Sequence, residues 1–105
     1  MTARQNTRRM NRLRQEFFEE GRVLDADPAR RKESLCWLCA GRIDYSVGQG
    51  TTDESHELDH VVPVSKDPSL QEEWSNFRHS HRRCNRERGD RTPLGDTGDR
   101  VAAWW

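Results

Sequence analysis

Two pairs of metal-binding side chains constrain this chain more than any other feature of it. Cys36-x-x-Cys39 and His81-x-x-Cys84 share one spacing and stand 41 residues apart. Two intervening residues let a tight turn aim both side chains at one point. Two such turns supply four ligands, the closed tetrahedral set of a structural zinc ion. His81 is favoured as the fourth ligand because it completes the matching spacing, with His79 and His56 as its rivals. Three cysteines cannot pair off into a disulfide framework, and no signal-peptide apolar stretch follows the Arg-rich start. A reducing, cytoplasmic setting is therefore expected. A redox reading of the Cys pair lacks the βαβ pattern it would need.

Composition shows why a staple matters. Leu, Ile, Val and Phe make up seventeen of 105 residues, below the roughly 20% at which apolar side chains alone ordinarily build a core. Short domains also bury a smaller share of their surface. A bound zinc closing residues 36–84 can contribute on the order of 10 kcal/mol of folding free energy. No apolar run approaches the ~20 residues of a membrane span, so no membrane partner is expected.

The net charge of zero hides a segregation. Residues 1–14 carry +5, residues 40–77 carry −6, and residues 78–91 carry +4. Basic flanks around an acidic middle suit phosphates at the ends and a divalent cation between them. A solvated helix face is the alternative for each basic run.

Periodicity places these residues on elements. Residues 3–20 read as a helix with Met10, Leu13, Phe17 and Leu24 on one stripe, which Gly21 would interrupt or end. The stripe is too thin for an independent fold, so the helix should lie across the rest of the protein. Asp27-Pro28 caps a short helix toward Ser34, and Asp67-Pro68 another toward Ser75. Residues 36–41 form a knuckle and residues 48–56 a polar loop. Glu57 to Val64 is the best strand, Asn76 to His79 a return strand, and His81 to Arg88 a helix closed by Gly89. Three segments follow: a basic helical extension (1–33), a core holding the metal site (34–91) and a tail (92–105). The tail ends in Trp104-Trp105, which could dock on the domain, join a partner or stay loose. Trp37 and Trp74 read as packing rather than base-stacking residues.

Asp59 and His60 are neighbours on the strand and would normally point to opposite faces. The pattern around them changes their reading. Cys-x-x-Cys, then ELDHVVPV, then Asn76-Phe77, then H-x-x-C-N-x-x-R-G-D resembles the HNH endonuclease family in its zinc-bearing branch, over residues 36–90. The resemblance implies an α+β chain, a small zinc-stapled ββα-metal fold with an added N-terminal helix. It implies hydrolysis of DNA phosphodiester bonds, with His60 as general base and Asp59 and Asn85 as ligands of a catalytic divalent cation. Asn76 would steady the His60 loop. Glu57 is either a partner for His60 and its neighbours or a strand-surface acid. Arg82, Arg83, Arg86 and Arg88 are expected on DNA phosphates, offering little sequence specificity. Two positions depart from the family pattern. His81 stands where a ligating Cys is usual, and Asn85 where many members have His. An amide oxygen favours Mg²⁺ or Mn²⁺ over zinc at the catalytic centre. Small stand-alone HNH proteins of bacteriophages are similar in size, and some are thought to assist genome packaging. The resemblance thus admits a phage terminase or other packaging protein as partner, and host cytoplasm as the setting. The rival reading is a non-catalytic zinc module that binds nucleic acid or docks on a larger machine.

Overall fold

The computed structural model describes residues 7–89. The expectations for the 92–105 tail, Trp104 and Trp105 included, lie outside the described residues. A long helix, α1 (Arg8–Ala26), opens the fold. A 3-10 turn at Arg31–Ser34, the cysteine knuckle and a loop lead to strand β1 (His56–His60). Two further 3-10 turns, Pro68–Leu70 and Trp74–Asn76, precede strand β2 (Phe77–His81), which runs directly into helix α2 (Arg82–Arg88). β1 and β2 pair antiparallel, from His56 opposite His81 to His60 opposite Phe77. Hairpin and helix together make the ββα topology that the sequence pattern implied.

α1 starts where Thr7 caps it, the Thr7 hydroxyl accepting from the Met10 amide at 2.9 Å. Its buried face carries Met10, Phe17, Gly21 and Leu24. Phe17 stacks on His79 at 3.9 Å between ring centroids and meets Phe77 edge-on at 5.5 Å. The helix thus covers the sheet. The core it completes is divided into two small clusters, one of Met10, Phe17, Leu58 and Phe77, the other of Cys36, Leu38, Ile43, Tyr45 and Cys84. Phe17 packs in the first and Phe18 against the second.

Four local expectations are corrected. α1 continues through Gly21 instead of ending there. A Cβ at Gly21 would sit 2.7 Å from both His79 and Tyr45, so the glycine serves close approach of helix to sheet. β1 ends at His60, short of Val64, because Asn76 captures the chain beyond it. The Val61 amide donates to the Asn76 carbonyl and the Val62 amide to Asn76 Oδ1, both at 2.9 Å, and Pro63 has no amide to continue a ladder. The stretch after Asp67-Pro68 is two separate 3-10 turns rather than one helix. β2 also runs two residues further than expected, to His81.

Candidate metal centre and catalytic cleft

The knuckle is a turn closed by Cys36 N–H to the Gly41 carbonyl at 2.9 Å and Ala40 N–H to the Cys36 carbonyl at 2.7 Å. Trp37 N–H donates to the His79 carbonyl at 3.0 Å and so fastens the knuckle to β2. His81 ends β2 and Cys84 lies on the first turn of α2. The ligand atoms of Cys36, Cys39, His81 and Cys84 all lie within 4.8 Å of one another. Ligands about 2.3 Å from a common ion would sit roughly 3.8 Å apart, so the spacing fits a tetrahedral zinc. His81 Nδ1 faces Cys39 Sγ at 3.3 Å and Cys84 Sγ at 3.7 Å, while its Nε2 donates to the Arg42 carbonyl at 2.7 Å. That bond sets the tautomer and leaves Nδ1 as the ligand atom. Burial and the neighbouring thiols push the Cys84 thiol up to about 12. Burial likewise raises Cys36. Cys39 moves the other way, the effect of burial being outweighed by the Gly41 amide, the neighbouring thiols and Arg83. The two raised thiols give up their protons most readily to a cation, which is the chemistry of a metal site.

His79 and His56 are not in this cluster. They form a buried pair beneath α1, His56 Nε2 to His79 Nδ1 at 2.9 Å, ringed by Phe17, Phe18 and Tyr45. Burial drives both below the usual imidazole range, His56 to about 3 and His79 to about 4. They are core residues, and His81 is the histidine that joins the three cysteines.

A cleft of about 650 Å³ is lined by Asp59, His60, Asn85, Glu57, Gln71 and Arg14 among others. His60 Nε2 donates to the Gln71 carbonyl at 2.8 Å. A carbonyl only accepts, so Nε2 carries the proton and Nδ1 is the basic nitrogen of the neutral ring. Asn76 lies behind this loop. Its amide donates to the carbonyls of Val62 (3.1 Å) and Leu70 (3.3 Å), tying the chain after His60 to the segment before Gln71.

Asp59 is buried at 5% exposure. Oδ1 accepts from the His60 amide, and Oδ2 from Trp37 Nε1 and Arg88 Nη1, each at 2.8 Å. Burial raises its carboxyl above the ordinary value against the pull of these donors. Asn85 donates to Glu57 Oε1 at 2.9 Å, which leaves the amide oxygen as the atom it can offer a cation. Glu57 therefore serves Asn85 and Arg86.

The structure redistributes the charge read from the sequence. Each expected DNA-contacting arginine on α2 faces an acid of the 53–59 segment: Arg82 with Asp53, Arg83 with Glu54, Arg86 with Glu57 and Arg88 with Asp59. Four of the eight acids of the acidic middle thus pair with the four arginines of α2 within one molecule. Arg82, Arg83 and Arg86 are paired at the surface and can exchange partners. Arg88 is placed differently, at 1% exposure. Besides Asp59 it donates to the carbonyls of His60 (2.6 Å) and Val61 (2.7 Å), with its guanidinium 5.2 Å from the Trp37 ring centre. An arginine so enclosed is an internal brace, and the expectation of a phosphate contact at Arg88 is corrected on that ground.

The HNH endonuclease family model matches residues 36–91, just over half the chain. This chain belongs to the HNH endonuclease family. No curated protein and no solved structure gives a match. The matched HNH segment begins at the first cysteine and ends just past α2, so it contains the Cys₃His cluster, the hairpin and the cleft residues of β1 and α2. α1 lies outside it. Two contributors to this HNH site escaped sequence reading. Gln71 acts through a backbone carbonyl, which no residue type announces. Trp37 was read as packing, yet its indole N–H joins the knuckle to Asp59.

Proposed function

We propose that this HNH protein is a metal-dependent endonuclease hydrolysing DNA phosphodiester bonds. One observation carries the reading: His60, oriented through Nε2 by the Gln71 carbonyl, lines the same cleft as Asp59 and Asn85. Neutral imidazole can take a proton near physiological pH. His60 Nδ1 is the atom that receives the proton of an attacking water. The new P–O bond forms as the bond to the 3′ oxygen breaks, and that oxygen takes up a proton from solvent, leaving 5′-phosphate and 3′-hydroxyl ends. Asn76 keeps the His60 loop in register through its three side-chain bonds.

The donor set of the cleft fits a hard cation, Mg²⁺ or Mn²⁺, because Asp59 and Asn85 offer oxygen. Asp59 Oδ1 accepts one hydrogen bond and keeps acceptor capacity for such an ion. When bound, the cation supplies Lewis-acid relief of charge on the phosphate and the departing oxygen. The Arg88 brace holds Asp59 in place and offsets part of its charge. The Cys₃His cluster is the structural zinc site, and it ties the knuckle to the end of β2 and the first turn of α2.

The division at residues 33 and 91, a cytoplasmic setting and a role beside phage packaging proteins such as terminase belong to the same reading. The unbridged cysteines support the first setting. Among the described residues, no helix is long and apolar enough to cross a membrane. Size resemblance is what supports the packaging role.

The test is incubation of zinc-loaded protein with supercoiled plasmid and Mg²⁺ or Mn²⁺, beside a His60→Ala variant that retains zinc. Nicked or linear plasmid from wild type alone is expected. Equal, intact plasmid in both arms across divalent metals would leave a zinc-stapled nucleic-acid-binding module instead.

A further inference from the structure

We propose that Arg14, on the N-terminal helix, binds a DNA phosphate in the HNH cleft. The proposal rests on the nuclease reading and deepens it, because the charge that holds substrate then comes from outside the family-matched segment. α1 lies across the hairpin so that Met10 and Arg14, one turn apart, join Asp59, His60, Gln71 and Asn85 in the cleft lining.

The charges of that lining carry the argument. Its acids are Glu57 and Asp59, and each is already answered, Glu57 by Arg86 at 3.1 Å and Asp59 by Arg88 at 2.8 Å. Arg14 is the remaining cation. Among the described residues, no carboxylate comes within ion-pair distance of it. Arg14 Nη1 donates to Asn11 Oδ1 at 2.9 Å, an acceptor on its own helix. A neutral amide orients the guanidinium without cancelling its charge. The other arginines of this half of the helix, Arg8, Arg9 and Arg12, are not in the cleft lining. Arg9 faces Glu72 at 3.7 Å and Arg12 faces Glu16 at 3.9 Å.

Surplus positive charge in a concave site attracts a phosphodiester more strongly than the same charge on a convex surface. A guanidinium adds a fork of donors that matches two phosphate oxygens. α1 is thus both a cover for the sheet, through Phe17 and Gly21, and a wall of the cleft, through Arg14. The α2 arginines must give up an acid to meet DNA, and Arg14 need not.

The experiment measures binding apart from cutting. Full-length zinc-loaded protein is titrated against a fluorescein-labelled duplex by anisotropy, without added divalent cation, across 50–200 mM salt. Each phosphate neutralised contributes roughly 0.9 to the slope of log affinity against log salt. Arg14→Gln should lower that slope by about 0.9, and Arg14→Lys should restore it. Arg22→Gln is the control, since Arg22 lies on the same helix and pairs with Glu19. Arg14→Gln matching Arg22→Gln overturns the proposal, and so does a slope that Arg14→Lys fails to restore. Zinc content and circular dichroism identify a folding defect, which the exposed Arg14–Asn11 bond gives no reason to expect. The plasmid assay separates the two claims. Protein that binds through Arg14 but never cuts sinks the nuclease reading alone, whereas protein that cuts with an unchanged Arg14→Gln slope sinks only this one.

Discussion

Replacing Arg88 by alanine tests the charge ladder between α2 and β1 at its buried rung. The Arg88 and Asp59 side chains are 1% and 7% exposed, and the guanidinium also satisfies the His60 and Val61 carbonyls. Removing it strands a carboxylate inside the protein, a change that costs about 3–5 kcal/mol when a buried pair loses one partner. The two carbonyls lose charged donors as well, so the upper half of that range, about 4–5 kcal/mol, is expected. Arg83→Ala removes the same chemistry from the surface, where the pair is 47% and 56% exposed. Its cost should stay below about 1 kcal/mol. Urea denaturation of zinc-loaded protein at pH 7, followed by tryptophan fluorescence, compares the two. An Asp59→Asn/Arg88→Met double variant should lose less than the sum of its single changes, because neither partner is then left charged. Arg88→Ala within 1 kcal/mol of Arg83→Ala, or strict additivity in the cycle, would refute the reasoning.

Three further outcomes follow from the packing. Gly21→Ala should destabilise by roughly 1–3 kcal/mol despite a helix-propensity gain of about 1 kcal/mol, since the new methyl meets His79 and Tyr45 at 2.7 Å; a higher melting temperature would contradict this. Zinc-loaded protein should carry about one zinc per chain by elemental analysis and unfold when a strong chelator removes it; a cooperative melt after complete stripping would count against the staple. Acid should weaken the fold through His56 and His79, whose folded values lie near 3 and 4, below the unfolded 6.5. A depressed histidine stabilises fully above the unfolded value and loses that stability as pH falls toward the folded one. The loss at pH 5 is on the order of 2 kcal/mol for each histidine. His56→Phe should flatten the difference in stability between pH 7 and pH 5 relative to wild type, with protonation of the zinc ligands common to both proteins. Equal pH dependence would show that the buried pair contributes nothing.

Local chemistry made much of this protein legible before any fold was known. Matched x-x spacing marked Cys36, Cys39, His81 and Cys84 because ligand turns are short-range objects, and the structure gathers those four. The helix–hairpin–helix order and the apolar stripe of Met10, Phe17 and Leu24 were visible for the same reason, since helix and strand periods are read within a few residues. Gly21 was misread because its purpose is a contact with residues on the sheet, far off in sequence. The end of β1 was misread because Asn76, fifteen residues beyond Val61, competes for its backbone.

Pairing of charge is where sequence and tertiary structure part most clearly. The sequence by itself determined the ligands, the motif and the fact that acids and bases are segregated along the chain. Which acid meets which base depends on how α2 lies against the 53–59 segment, and that is set by tertiary packing. Only the fold could therefore turn Arg88 inward onto Asp59 and Trp37, orient His60 with a backbone carbonyl from Gln71, and bring Arg14 from the N-terminal helix into the cleft. Coulomb attraction acts through space, and proximity in space is what the tertiary structure decides.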